Sequence, residues 1–222
     1  MRIFFIPGFG EMPTVFDKIA PHIGGDKVFI DNWEEIGDKP RKDINVLKVA
    51  KEYVAKYNIT ANDLVIGHSM GGWIAYHIKH VAGCRIIQIA SWTKPDRVVM
   101  PIKNHKFVYW FMGSGLAFNR FSQWFMVWKF YRHKPSKEIF ADTYRRLRMR
   151  KITGVLNQMR VVLEPIADTI TVSPDLRIHA KADNIIRYPK GEECITVSGD
   201  HFTLWTNPEE VYGPINYFLT RS

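Results

Sequence analysis

Residues 63–80 read DLVIGHSMGGWIAYHIKH and set one serine, Ser69, among three glycines, Gly67, Gly71 and Gly72. Leu64, Val65 and Ile66 form a short, continuously apolar run, as a strand buried on both faces does. Trp73, Ile74, His77 and Ile78 then recur at helical spacing. The join therefore predicts a strand, a very tight turn and a helix. Small residues around Ser69 let backbone segments approach where a Cβ would clash, and a turn this sharp strains the serine and pushes its hydroxyl outward. Gly-Ser-Gly clusters are also ordinary loop material. The strand before and the helix after are what give these letters the context of a nucleophile elbow.

Outward from this stretch, further short apolar runs read as strands at Arg2 to Ile6, Lys27 to Ile30, Arg85 to Ala90, Leu176 to His179 and Cys194 to Val197, beside Asp63 to Ile66. Helical patterns fall between most of them: one near Thr14, one from Asp43 to Tyr57 with Asp43 as N-cap, and one after Ser69. A last helix opens at Asn207-Pro208-Glu209-Glu210, a cap, a first-turn proline and two acidic residues suited to a helix N-terminus. Strands alternating with helices predict an α/β protein with a mostly parallel sheet of about six strands. Residues 91–164 break the alternation. No strand pattern occurs there, and 11 aromatics fall within the 25 residues 107–131, including Trp110, Trp124 and Trp128. The pattern predicts a helical insertion over 91–164 that folds over the strand ends as a cap, with the core formed by 1–90 and 165–222. The plainer alternative is several short helices packed on the sheet.

Composition narrows the function classes. The chain has 222 residues, enough for one domain with an insertion, and its hydrophobic and charged fractions of 46% and 24% are those of a globular protein. Its two cysteines, Cys84 and Cys194, lie in or beside strand-like runs and read as reduced core thiols. The N-terminus lacks a long apolar segment and a small-residue cleavage site, which leaves a cytoplasmic protein as the default expectation. The most apolar window, Phe107 to Phe118, is too short to span a bilayer and leaves contact with a surface open. Lys and Arg exceed Asp and Glu by 31 to 22, a net charge of +9, with a crowd of cations from Lys129 to Lys151. This balance favours anionic ligands or surfaces, although a solvated helix face reads the same way. No nucleic-acid module accompanies the charge, so no nucleic-acid partner is expected. Metal-ligand spacings and phosphate-binding glycine loops are likewise missing from the sequence, so neither a metal nor an organic cofactor is expected.

A serine hydroxyl needs a histidine to take its proton, a carboxylate to orient that histidine, and donors for the oxyanion. Of the eight histidines, His22, His77, His80, His105 and His133 lie in helical or basic stretches, His179 lies inside a strand run, and His68 adjoins Ser69 on a turn that sends neighbours in different directions. His201 in VSGDHFTLW follows a strand run directly, as Ser69 does, and ligands of open α/β sheets gather outside the carboxyl ends of strands. Asp183 in RIHAKADNII follows its strand in the same sense. The order Ser69, Asp183, His201 is the triad order of this architecture. Asp96, after the strand ending at Ala90, is an alternative acid. Asp200, beside His201, would point away.

The segments FFIPGFG, GHSMGG, PDLRIHAKADNII and GDHF together resemble small esterases and thioesterases of the α/β-hydrolase fold. The resemblance covers about residues 1–90 and 172–222. It implies a minimal form of that fold with a helical cap, a triad of Ser69, Asp183 and His201, and an oxyanion hole formed by the backbone N–H groups of Phe9 and Met70. The chain departs from the family in beginning at its first parallel strand, in carrying Pro7-Gly8 for the usual His-Gly, and in carrying His179-Ala180 after the strand that leads to Asp183. The implied activity is cleavage of a carboxylic ester or thioester of a small, partly apolar substrate. Separately, the positive charge of the insertion offers Arg145, Arg148 and Lys151 as attractors for an anionic portion. The same triad also serves C–C bond hydrolysis or acyl transfer, and a binding protein without turnover can keep the fold. Oligomeric state is not encoded in any of these patterns.

Overall fold

The computed structural model describes residues 1–100, 102 and 104–221. Positions 101 and 103, within the insertion expected over 91–164, and position 222, within the expected core, lie outside the described residues. Six strands form one parallel sheet: β1 (Arg2–Ile6), β2 (Asp26–Phe29), β3 (Leu64–His68), β4 (Arg85–Ile89), β5 (Leu176–Ala180) and β6 (Ile195–Val197). Their order across the sheet is β2-β1-β3-β4-β5-β6. The chain thus leaves β1 towards one edge and returns to build β3 on its other side. A parallel sheet has its crevice where the order reverses, and here that place is the carboxyl end of β1 beside that of β3. Ile6 is in register with Gly67, so the loops after these two strands emerge side by side.

The helices are α1 (Asn32–Ile36), α2 (Val46–Tyr57), α3 (Met70–Ala82), α4 (His105–Gly113), α5 (Arg120–Tyr131), α6 (Lys137–Met149), α7 (Ile152–Leu163), α8 (Thr203–Thr206) and α9 (Pro208–Thr220). The period-two alternation of the strands divides the core. Phe4, Ile6 and Val65 face the cluster that includes residues of α2, α3 and α7, whereas Ile3, Phe5, Leu64 and Ile66 face residues of α9 and the turn Pro13–Phe16. Among the described residues no helix is long and apolar enough to cross a membrane.

Three local expectations are corrected. The cap of α2 is Asn45, whose side chain accepts from Lys48 N at 3.0 Å, and Asp43 is instead an exposed ion-pair partner of Lys48 Nζ. The segment near Thr14 forms only a 3-10 turn, Pro13–Phe16. Cys194 is half-buried rather than a core thiol, while Cys84 is buried and its thiol pushed up to about 12, mainly by burial. Between β4 and β5 the described residues form α4–α7 and short turns. A single antiparallel bridge, Val98 to Ile186, ties the start of this interval to the segment after β5.

The first turn of α3 lies against the end of β1. A Cβ on Gly71 would overlap the Ile6 carbonyl, and one on Gly67 would overlap the backbone of Gly71. We expect Gly71→Ala to cost at least about 2 kcal/mol in urea unfolding, because neither backbone can yield without moving a strand. Gly24→Ala, with open space around it and no positive φ, should be neutral or stabilising by up to about 1 kcal/mol, through the lower entropy of the unfolded chain. Equal effects at the two positions would remove the packing argument.

Candidate active site

Ser69 sits between β3 and α3 at φ 52° and ψ −120°. A positive φ in a residue with a Cβ is strained by roughly 1–3 kcal/mol and persists only where surrounding structure over-determines it. Here the surroundings supply that constraint. Ser69 N–H donates to the Ile89 carbonyl at 3.0 Å, and its own carbonyl accepts from Ser91 Oγ at 2.7 Å. Both partners lie at the end of β4, so the turn is held from the neighbouring strand.

His201 lies between β6 and α8 and is buried, and its Nδ1 is 2.8 Å from Asp183 Oδ2. Asp183, in the loop after β5, has a fully buried carboxylate. Its Oδ1 accepts from the backbone N–H groups of Ile185 and Ile186 at 2.8 and 2.9 Å, and its Oδ2 also lies 3.2 Å from His179 Nε2. Burial opposes ionisation of this carboxyl, but the charge of His201 and hydrogen bonds from His179 and His201 outweigh it and hold the group well below the usual carboxylate range. An ionised carboxylate only accepts, so His201 Nδ1 donates and Nε2 is the nitrogen available for proton transfer. Ser69 and His201 line the same cavity, although no hydrogen bond joins their side chains among the described residues. Asp96 is exposed in the turn Pro95–Arg97, and no hydrogen bond or ion pair joins it to His201 among the described residues. Asp200 is turned elsewhere: its carboxylate accepts from Ser136 Oγ and from Phe202 N.

The loop after β1 is fastened on both sides of Phe9. Gly8 N–H donates to Glu11 Oε2 at 2.6 Å, and Gly10 N–H donates to Gln158 Oε1 of α7 at 3.0 Å. The Phe9 and Met70 N–H groups have no acceptor among the described residues. Phe9 lines the same cavity as Ser69, and Met70 directly follows the serine in the chain.

Glu11, Gln158 and His179 are contributors that sequence reasoning missed. Glu11 is buried and bridges two elements, since its Oε2 also meets His68 Nδ1 at 2.8 Å. His68 Nε2 donates to the His201 carbonyl at 2.9 Å. With a carboxylate at one ring nitrogen and a carbonyl at the other, only the imidazolium satisfies both acceptors. Burial alone lowers the His68 pKa, yet Glu11 more than offsets it and the value rises above the ordinary 6.5. A carboxylate following PGFG was the available signal, but acidic residues are so rarely buried that composition offers no reason to pick it.

The cavity over Ser69 has a volume of about 500 Å³ and mostly apolar walls. Val108, Phe111 and Met112 come from α4, Phe125 and Met126 from α5, and Phe140, Tyr144 and Leu147 from α6. Among the described residues no lysine or arginine lines it. Of the cations expected to attract an anionic portion, Arg145 pairs with Asp142 and Lys151 with Asp38, and Arg148 lines a separate groove. Among the described residues no group of three or more His, Cys, Asp or Glu is arranged to hold a metal ion.

No family model and no curated protein matches the sequence. Solved structures do match in shape. The enol-lactonase from Burkholderia xenovorans superposes with a TM-score of 0.70 at 13% identity, covering 99% of this chain and 91% of that one. Est816, an N-acyl homoserine lactone degrading enzyme, gives 0.68 at 19%, covering 98% and 93%. The peroxisomal alpha-beta-hydrolase Lpx1 from Saccharomyces cerevisiae gives 0.61 at 16%, covering 99% and 76%.

The buried Glu11–His68 pair makes stability depend on pH. A histidine whose folded pKa is raised adds stability that is complete below the unfolded value of 6.5 and is lost as pH rises through the folded value. Urea unfolding of wild type and Glu11→Gln at about pH 5.5 and about pH 9 should show the wild-type advantage shrinking at the higher pH. A gap independent of pH would mean that His68 carries no charge.

Proposed function

On the premise that the chain has the α/β-hydrolase fold, we propose that it is a serine hydrolase cleaving a carboxylic ester or thioester with a largely apolar acyl group. One observation carries the reading. A serine held at positive φ and a histidine already paired to a buried carboxylate line one apolar cavity together with Phe9, and the backbone N–H groups of Phe9 and of Met70, next to the serine, have no acceptor among the described residues.

In this reading Ser69 Oγ attacks the carbonyl carbon while His201 Nε2 takes its proton, and Asp183 steadies the imidazolium that forms. Phe9 and Met70 N–H groups receive the oxyanion, at positions set before substrate arrives because Gly8 and Gly10 are fastened to Glu11 and Gln158. Collapse of the tetrahedral intermediate expels the alcohol or thiol, which takes the proton from His201, and leaves an acyl-enzyme. Water then attacks the acyl carbon with His201 again as base, releasing the acid and restoring Ser69. Helices α4–α7 act as a cap that gives the acyl chain an apolar wall. With no cation among the described residues of the cavity wall, a neutral acyl group fits better than the anionic one that the overall charge suggests.

Three measurements test the assignment. Ser69→Ala should abolish labelling by a fluorophosphonate, and labelling at another residue would overturn it. Asp183→Asn should lower kcat by about 10⁴, the effect of holding the histidine in the wrong tautomer, while Asp96→Asn leaves it unchanged. Across p-nitrophenyl esters, kcat/KM should climb by up to about fourfold per added methylene, equivalent to about 0.8 kcal/mol of transfer, until the cavity is full. A flat profile would remove the apolar acyl site.

A further inference from the structure

Helix α5 is apolar nearly all round, and three of its faces meet different surroundings. Ser122, Phe125 and Met126 line the cavity over Ser69. Trp124, Val127 and Trp128 line a separate groove of about 560 Å³ against α6. Between these faces runs an exposed stripe of Phe121, Trp124, Phe125 and Trp128, spaced i, i+3, i+4 and i+7. Phe121 is 72% and Trp124 58% exposed, far beyond what large aromatics normally show to water. Their rings touch one another, Phe121 to Trp124 at 5.8 Å and Trp124 to Trp128 at 6.1 Å between centroids, so they form one continuous patch.

Charge beside the stripe is of one sign. Every ionisable residue lining the groove is a cation: Arg120, Arg132, Lys137 and Arg148. None of the four has an ion-pair partner among the described residues, and Arg148 Nε is buried without a hydrogen bond. The carboxylates of α6, Glu138 and Asp142, line a different hollow beside Thr14 and Arg146. Residues 105–151 hold 11 of the 31 Lys and Arg but only 2 of the 22 Asp and Glu. This surplus equals the net charge of the whole chain, and the remainder is balanced at 20 each.

We infer that α5 docks the protein on the surface of an anionic phospholipid bilayer, with the aromatic stripe in the headgroup–acyl boundary and the groove cations on lipid phosphates. Tryptophan and phenylalanine beside arginine and lysine suit that boundary, where ring faces leave water and cations stay at the headgroups. A second copy of the chain would bring the same surplus of positive charge against itself, whereas an anionic surface neutralises it. Phe125 belongs to both the stripe and the cavity wall, so docking brings an edge of the cavity to the lipid. Docking itself does not depend on the hydrolase reading.

The test is co-sedimentation with sucrose-loaded vesicles of phosphatidylcholine alone or with about 30% phosphatidylserine, at about 0.1 M and about 1 M salt. Binding to the anionic vesicles at low salt, its release at high salt, and little binding to phosphatidylcholine are expected. Trp124→Ser/Trp128→Ser should weaken binding at least tenfold. Arg120→Gln/Arg132→Gln/Lys137→Gln should weaken it about a hundredfold, since each basic residue near such a surface is worth about fivefold. These side chains are exposed or line an open groove, so melting temperature and far-ultraviolet circular dichroism, measured alongside, should stay at wild-type values. Absence of binding to anionic vesicles overturns the inference, as does wild-type binding by both variants. A dimer in sedimentation velocity that the tryptophan pair abolishes, without vesicle binding, assigns the stripe to a second copy and also overturns it. Loss of esterase activity in Ser69→Ala with vesicle binding intact separates the two functions.

Discussion

The contact between two backbones, Gly71 at the start of α3 and the Ile6 carbonyl at the end of β1, is the constraint from which the rest of the site follows. With no room for a side chain there, the chain must leave β3 and enter α3 within one residue. Ser69 absorbs the reversal at a positive φ, held by Ile89 and Ser91 of the adjacent strand end. The turn that sends Ser69 towards the cavity sends its predecessor inward, and His68 is fully buried as a result. A buried imidazole requires hydrogen-bond partners. Glu11 supplies one, and the same carboxylate oxygen takes the Gly8 N–H. One steric constraint thereby reaches the loop that carries Phe9.

Two carboxylate–histidine pairs result. His201, paired with Asp183, and Glu11, paired with His68, both line the cavity, and the pairs are joined by the bond from His68 Nε2 to the His201 carbonyl. Buried ion pairs contribute little net stability because desolvation offsets attraction, and removing one partner is far more costly than removing both. Their effect is therefore best sought in position. The Glu11–His68 pair fixes the backbone of His201 and the loop after β1 at once, so His201 and the loop that carries Phe9 share a support. His179 adds a second donor to Asp183 and helps keep that carboxylate ionised, leaving it an acceptor for His201.

Strand content, strand order along the chain and the turn at Ser69 were legible because each rests on a local rule: apolar runs of strand length, and glycine where backbones meet. The bounds of the observed strands differ from the expected ones by a residue or two, as at β2 and β3. The cap of α2 was misplaced because Asp43 and Asn45 are equally suited by type, and only the path of the chain decides which side chain reaches Lys48 N. Glu11 and Gln158 were illegible for a deeper reason. Their partners are backbone N–H groups in a loop, and no residue pattern marks which backbone donors a fold leaves unpaired. The aromatic insertion was legible as a composition but not as a distribution. Phe111, Phe118 and Phe140 line the cavity, whereas Trp110, Phe121 and Trp124 face outward.

That distribution bears on how the chain tolerates its own surface. A stripe of four exposed aromatics is an association hazard, since apolar patches bury themselves in whatever is available. The surplus of positive charge over residues 105–151 lies in the same segment and counters this tendency by like-charge repulsion between copies. The cations also cover ring surface directly, with Lys129 over Phe125 at 5.5 Å and Arg132 over Trp128 at 5.3 Å. Such contacts hold the side chains against the helix while leaving the charges in water. The surface is thus kept from its own copies by the same charge that favours an anionic neighbour, and part of the aromatic surface stays covered until such a neighbour draws the cations from it.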